Sequence, residues 1–208
     1  MSIRLGVLIS GSGTNLQAII DAIADGSLDA SVGLVVSSRP DAYGLKRAHA
    51  AGIPVMALSR EVYENPLTAD EVIAGALRDA GVDYVVMAGY MRKVHEPVLL
   101  AFENRVLNIH PALLPSFPGA HGIADAFFAG VKVTGVTVHI ANENYDQGPI
   151  IAQRAVEILP DDTLDTLEAR IHEVEHELYP ATLQLLAEGR VSLQVNERGR
   201  VVTVIDKV

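Results

Sequence analysis

The chain of 208 residues contains no cysteine and no tryptophan. Without thiols there is no disulfide and no thiol nucleophile, and metal binding falls to His, Asp and Glu. No apolar run reaches the ~20 residues that a bilayer span requires. The first residues hold one Arg and pass directly into a strand pattern, with no apolar core and small-residue cleavage site of a signal peptide. Basic charge is scarce too: 16 Lys and Arg stand against 26 Asp and Glu, a formal net charge of −10. The longest basic feature is Arg92–Lys93. General nucleic-acid binding needs a basic patch to neutralise phosphates and is not expected here. These absences point to a soluble, cytoplasmic protein without membrane or nucleic-acid partners. An anionic small molecule has to be held locally, by backbone N–H groups and a few side chains, against the overall field.

Hydrophobic residues make up 49% of the chain, enough to bury a substantial core, and a single domain over 1–208 is expected. Strands are predicted at 3–10, 32–37, 54–58, 83–88 and 105–109, with helices at 15–25, 41–51, 67–80 and 95–102 between and after them. The strands are near-continuous Val/Ile/Leu runs, as in a parallel sheet covered on both faces. Segments 132–141 and 149–158 read as antiparallel neighbours. A long helix follows from Thr163 to Ala187, bent at Pro180, and a C-terminal hairpin occupies about 190–206, turning at Glu197–Gly199. The expected fold is α/β: an open, mostly parallel Rossmann-like sheet with helices on both faces and antiparallel strands toward the C-terminus. Ligands of such sheets collect beyond the C-terminal strand ends, here the loops after residues 10, 37, 88 and 109.

The first of these loops lies in IRLGVLISGSGTNLQAII, residues 3–20. A dinucleotide fingerprint needs a third glycine where Leu16 stands, and an acidic residue closing the second strand, which ends instead in Ser37–Ser38–Arg39. A triphosphate-binding loop needs a Lys after the glycines, and none occurs before Lys46. What remains is a shorter anion site at Gly13, Thr14 and Asn15, opening a helix with free N–H groups, or a plain N-cap by Thr14 or Asn15. The spacing leaves both open.

Residues 172–176, HEVEH, match the H-E-x-x-H pattern of zinc proteases. Glu175 and Glu177 place charge where that helix is normally apolar, Pro180 follows within a turn, and no third ligand lies in a glycine turn. The stretch reads as a solvated, charged helix face, and no metal is expected.

NIHPALLPSFPG, residues 108–119, is more specific. Asn108 and His110 are two apart at a strand end and share one side of the sheet, and three prolines stiffen the loop behind them. His can act as an acid, a base or a cation on an oxyanion, and Asn can donate to the same oxygen. His121, His139 and the loop ANENYDQGP (141–149) fall nearby in the expected sheet, and Asp146 is placed to pair with His110 and keep it protonated. Asn, His and Asp without Ser or Cys suggest acyl transfer by direct attack of an amine or water.

In LISGSGTNLQAII, VVMAGYMRKV, VLNIHPALLPSFPGAHG, VTGVTVHIANENYDQGPIIAQ and EVEHELYP, taken in order, the chain resembles the phosphoribosylglycinamide formyltransferases of the folate-dependent formyltransferase family, over about residues 3–190. The resemblance implies formyl transfer from the co-substrate 10-formyltetrahydrofolate to the amine of a glycinamide ribonucleotide. It implies Asn108, His110 and Asp146 as catalytic residues, and Gly13, Thr14 and Asn15 at the substrate phosphate. His172, Glu173 and Glu175 bind the same substrate, with Glu175 on its ribose. The folate pocket is implied at Met91, Arg92, Lys93 and Val94, with Asn108, Asn142, Glu143, Asn144, Tyr145 and Asp146. Partners are then these small molecules, and monomer and homodimer are both compatible. Where the family often carries Arg the chain has Pro66, so Arg60 or Lys93 supplies that charge or the contact is absent; His172 stands where the family varies. Methionyl-tRNA formyltransferases share the Asn-x-His loop but add an RNA-binding barrel, and formyltetrahydrofolate deformylases add an N-terminal regulatory domain; neither addition is expected here. A nucleotide-binding module without catalysis has no need of the Asn–His–Asp set.

Overall fold

The computed structural model describes residues 2–207, so the expected domain limits at Met1 and Val208 lie outside the described residues. In chain order the elements are β1 (Ile3–Ile9), α1 (Thr14–Ala24), β2 (Ala30–Ser37), α2 (Tyr43–Ala50), β3 (Val55–Ala57), α3 (Pro66–Asp79), β4 (Tyr84–Met87), α4 (Glu96–Ala101), β5 (Val106–His110), α5 (Gly122–Ala129), β6 (Val133–Ile140), β7 (Ile150–Glu157), α6 (Leu164–Ala187), β8 (Val191–Val195) and β9 (Val201–Ile205). Seven strands form one sheet in the order β3-β2-β1-β4-β5-β6-β7. The first five are parallel, and β6 and β7 run antiparallel to their neighbours. The expected α/β architecture is therefore the observed one.

Alternation along the strands divides the core between the two faces. Leu5, Val7 and Ile9 of β1 join Leu107 and Ile109 of β5 in a cluster with Leu16 and Ile19 of α1 and Leu167, Ile171 and Tyr179 of α6. On the other face Leu8, Val85 and Val106 meet Ile73 and Leu77 of α3 and Val98 of α4. Asn108 and His110 alternate with Leu107 and Ile109, so they stand on the α3–α4 side where β5 ends.

Two elements escaped the sequence reading: the helix α5 and a single 3-10 turn at Val62–Glu64. The long helix α6 continues through Pro180 rather than breaking there. The C-terminal hairpin pairs β8 with β9 as expected, with Gly199 N–H donating to Asn196 O at 3.0 Å or less (2.9 Å).

The strand order reverses direction between β1 and β4, and an open parallel sheet splits into a crevice at such a switch point. The loops after β1, β2, β4 and β5 surround it.

Candidate active site

The glycine turn after β1 forms the floor of the crevice. Gly13 has φ 71° and ψ 33°, and α1 begins at Thr14 with no side-chain hydrogen bond at its cap. The alternative of a Thr14 or Asn15 cap is thus corrected: both lie inside the helix, and its leading N–H groups have no capping side chain, which leaves them to an anion. A Cβ on Gly13 would lie 2.6 Å from Gly44 Cα, so α2 crosses the turn at backbone contact. Gly44 N–H donates to Gly11 O at 3.0 Å. Arg47 Nε donates to Ser12 O at 2.9 Å, and its Nη1 to Gln17 Oε1 at 3.2 Å.

The helix α6 contributes Glu175, which is only 4% exposed. The reading of the HEVEH stretch as a solvated face fails at this residue. One Glu175 oxygen accepts from Asn15 Nδ2 at 3.0 Å and from His172 Nδ1 at 2.9 Å. Hydrogen bonding to Glu175, against partial burial, raises the pKa of His172 above its ordinary value, with Glu168 adding to the effect. Asn15 Oδ1 is buried without a partner. One turn further along α6, the hydroxyl of Tyr179 lies 3.1 Å from both Met87 O and Leu107 O and ties the helix to the ends of β4 and β5. Glu173 is exposed on α6 and is not brought to the cavity.

At the end of β5, Asn108 is paired across the ladder with His139 of β6. Such directly opposed side chains meet, and here Asn108 Nδ2 is 3.2 Å from His139 Nε2. His110 is 3% exposed. Its Nε2 donates to Phe117 O at 2.8 Å, and its Nδ1 is 3.5 Å from Asp146 Oδ2. Both ring nitrogens face acceptors, a setting that a doubly protonated ring satisfies. Asp146 also accepts from Gly119 N–H at 2.8 Å and lies 3.7 Å from His139 Nε2. Burial works against its charge, but the hydrogen bonds to His139 and Gly119 and the nearby imidazoles outweigh it and leave the carboxyl below its ordinary pKa. Phe117 and Asp146 hold positive φ values of 54° and 55°, a sparsely used region for such residues. The loop after β5 is anchored by Thr137, whose hydroxyl donates to Ala112 O at 2.7 Å and accepts from Leu114 N–H at 3.1 Å.

Two hollows meet here. The larger, about 450 Å³, runs from Ser10–Asn15 past Met91 and Glu175 to Asn108 and His110. The smaller, about 20 Å³, is bounded by Met87, Lys93, Val94, Asn142, His139 and Asp146. Asn108 and Tyr145 line both. The other expected folate-side residues disperse. Arg92 lies over the Tyr63 ring, 3.9 Å from its centroid, and lines neither hollow. Glu143 borders an adjoining surface groove with Lys93, and Asn144 is exposed, its N–H donating to Asn142 Oδ1 at 3.0 Å. Pro66 is the first residue of α3, behind the Asn65 cap. Two residues of the site were not singled out from sequence: Arg39, at the exit of β2, and His139, noted only as a neighbour. The order-of-strands argument already pointed to the loop that carries Arg39.

The sequence profile described as formyl transferase matches residues 3–183. The phosphoribosylglycinamide formyltransferase of Bacillus subtilis is 42% identical over 196 residues, covering 94% of this chain and 97% of its own length. A solved glycinamide ribonucleotide transformylase 1 from Symbiobacterium toebii superposes with a TM-score of 0.93 at 47% identity, covering 99% of this chain and 95% of that one. A formyltetrahydrofolate deformylase from Pseudomonas syringae has a TM-score of 0.88 at 25% identity, covering 100% of this chain and 67% of that one.

Proposed function

The chain belongs to the formyl transferase family, and from that premise we propose that it transfers a formyl group from 10-formyltetrahydrofolate to the amine of 5'-phosphoribosylglycinamide, a step of purine biosynthesis. The observation that carries this reading is the meeting of the two hollows at Asn108. One has a helix start suited to a phosphate and a buried carboxylate suited to ribose hydroxyls. The other has apolar walls at Met87 and Val94 with amide and carboxylate groups at Asn142 and Asp146, a donor set that suits a folate ring with its hydrogen-bonding edge. At about 20 Å³ it admits little more than a water, so the 141–148 segment has to move outward for the ring to enter.

The folate substrate brings the formyl carbon to the junction, and the ribonucleotide amine attacks it there. Negative charge develops on the formyl oxygen as the tetrahedral species forms. Asn108 donates to that oxygen, as does His110 once its Nε2 leaves Phe117 O. The Asp146 carboxylate gives the His110 imidazolium a charged partner. A proton leaves the attacking nitrogen and is delivered to the departing folate nitrogen, with Asp146 and a water placed to carry it; the C–N bond to the folate then breaks. One oxyanion donor is worth about 3 kcal/mol, on the order of 10²–10³ in rate.

The reading is tested by following formyl transfer spectrophotometrically with and without the ribonucleotide. Folate turnover that requires the ribonucleotide and formylates it is expected. Equal turnover in its absence indicates hydrolysis, the activity named for the Pseudomonas syringae protein, and overturns the proposal.

A further inference from the structure

Of the residues that line the larger hollow, Arg39 alone carries a permanent positive charge. We propose that Arg39 is a mobile clamp for the substrate phosphate: at rest it is parked on Asp41, and it exchanges that carboxylate for the phosphate seated on the Gly13–Asn15 turn. The inference rests on the ribonucleotide reading above and adds to it a residue that selects phosphorylated over unphosphorylated substrate.

The root of this side chain is fixed. Ser38 N–H donates to Ile9 O at 3.0 Å, and Ser38 Oγ is 2.6 Å from Ser10 Oγ, so the exit of β2 is stitched to the strand end that leads into the glycine turn. Arg39 N–H donates to Ser37 Oγ at 3.1 Å, and that hydroxyl donates to Arg39 O at 2.7 Å. Its tip is held differently. The guanidinium makes a two-pronged pair with Asp41, Nε to Oδ1 at 3.1 Å and Nη2 to Oδ2 at 2.8 Å. Both side chains are largely exposed, at 61% and 67%, and an ion pair in that setting contributes little. A phosphate offers the same planar fork two oxygens and up to two charges in a more enclosed place.

The other candidates for the role are already engaged. Arg47 is nearer the turn in space, but its Nε and Nη1 brace Ser12 O and Gln17. His172 is paired with Glu175, and Arg92 lies on Tyr63. Backbone N–H groups of a helix start supply partial charge only, and the chain as a whole, at −10, repels a dianion. A guanidinium rooted beside the turn and weakly tethered meets that need without burying an unpaired cation when the site is free.

Two measurements test the clamp. Calorimetric titration with ribose 5-phosphate reads phosphate binding whether or not formyl transfer occurs. Arg39→Ala, which trims an exposed side chain, is expected to weaken ribose 5-phosphate by about tenfold to a hundredfold, as for loss of a charge-assisted hydrogen bond. Asp41→Ala is expected to leave the affinity unchanged or to tighten it, because only the resting partner is lost. In steady-state kinetics, Arg39→Ala raises KM for the ribonucleotide by a similar factor and leaves KM for the dephosphorylated ribonucleoside within about twofold. Failure of the unsubstituted protein to bind ribose 5-phosphate overturns the clamp, as does equal affinity in Arg39→Ala or an equal rise in KM for the ribonucleoside. Weakening by Asp41→Ala overturns the exchange. If ribose 5-phosphate weakens as expected but no formyl transfer is found, the clamp stands and the proposed reaction falls.

Discussion

The ribonucleotide half of the site has about 450 Å³ of room and the folate half about 20 Å³, although Asn108 lines both. The difference follows from what builds each wall. Around the larger hollow the walls are strand ends and helix starts, held by backbone hydrogen bonds such as Gly44 N–H to Gly11 O. The outer wall of the smaller one is the connection between β6 and β7, where Tyr145 is 47% exposed and Asn144 is anchored by a side-chain turn to Asn142. Loops of this kind open locally at low free energy, whereas core-anchored strand ends do not. One half is therefore ready for its ligand, and the other has to be opened by it.

The largest effect is expected where the halves join, because the junction serves neither ligand alone. Asp146→Asn and His110→Ala should each lower kcat by about 10²–10³, the worth of an oxyanion donor or its support, with the fold retained by circular dichroism. Near-normal turnover in His110→Ala would remove this residue from the chemistry. Affinity for either ligand measured separately should change much less than kcat, which distinguishes the junction from both pockets.

A pair of glycine variants separates the two halves. Gly13→Ala forces a side chain into positive φ, costing about 1–2 kcal/mol, and sets its Cβ 2.6 Å from Gly44 Cα. We expect KM for the ribonucleotide to rise by at least about tenfold, since 1.4 kcal/mol is a factor of ten, with KM for the folate little changed. Gly148 supports the other half: a Cβ there would run into the Ile140 carbonyl oxygen at the root of the 141–148 connection. Gly148→Ala should raise KM for the folate and spare the ribonucleotide. If both variants disturb both constants alike, the halves are not independently built and the comparison fails.

The same contrast separates what was legible in the sequence from what was not. The parallel sheet was legible because strands buried on both faces are written as apolar runs, as in VGLVVS and DYVVMA. Asn108 and His110 were legible because period-two alternation places them on one side, whatever the partners. Helix α5 was not: GIADAFFA is short, opens on glycine and has no capping side chain, so no local signal competes with the loop it interrupts. Glu175 was misjudged because neighbouring charges look solvated in a sequence, and only the packing of α6 against Asn15 shows one of them buried. Arg39 was weighed only as the missing acid of a dinucleotide site. Its place beside the glycine turn depends on β1 and β2 being adjacent, a tertiary fact.

The smallest expected effect is electrostatic, and it gives the two halves opposite responses to pH. On the ribonucleotide side the His172 pKa is raised by its hydrogen bond to Glu175. The stability from that pair is fully present below the ordinary histidine value of 6.5 and is lost as pH rises through the higher folded-state value. On the folate side the Asp146 pKa is lowered. Its contribution is present above the ordinary carboxyl value and is lost as pH falls toward the lower folded-state value. The side chain of His172 is 43% exposed, so solvent screening holds its share to at most about 1 kcal/mol, or roughly 2–4 °C in Tm for a chain of this size. The Tm gap between the unsubstituted protein and His172→Asn should therefore be widest near pH 6 and narrow as pH rises. The gap for Asp146→Asn should instead hold through neutral pH and narrow only in acid. A His172 gap that widens with rising pH would place the neutral imidazole, not the imidazolium, against Glu175, and would reverse the charge assigned to the wall of the ribonucleotide half.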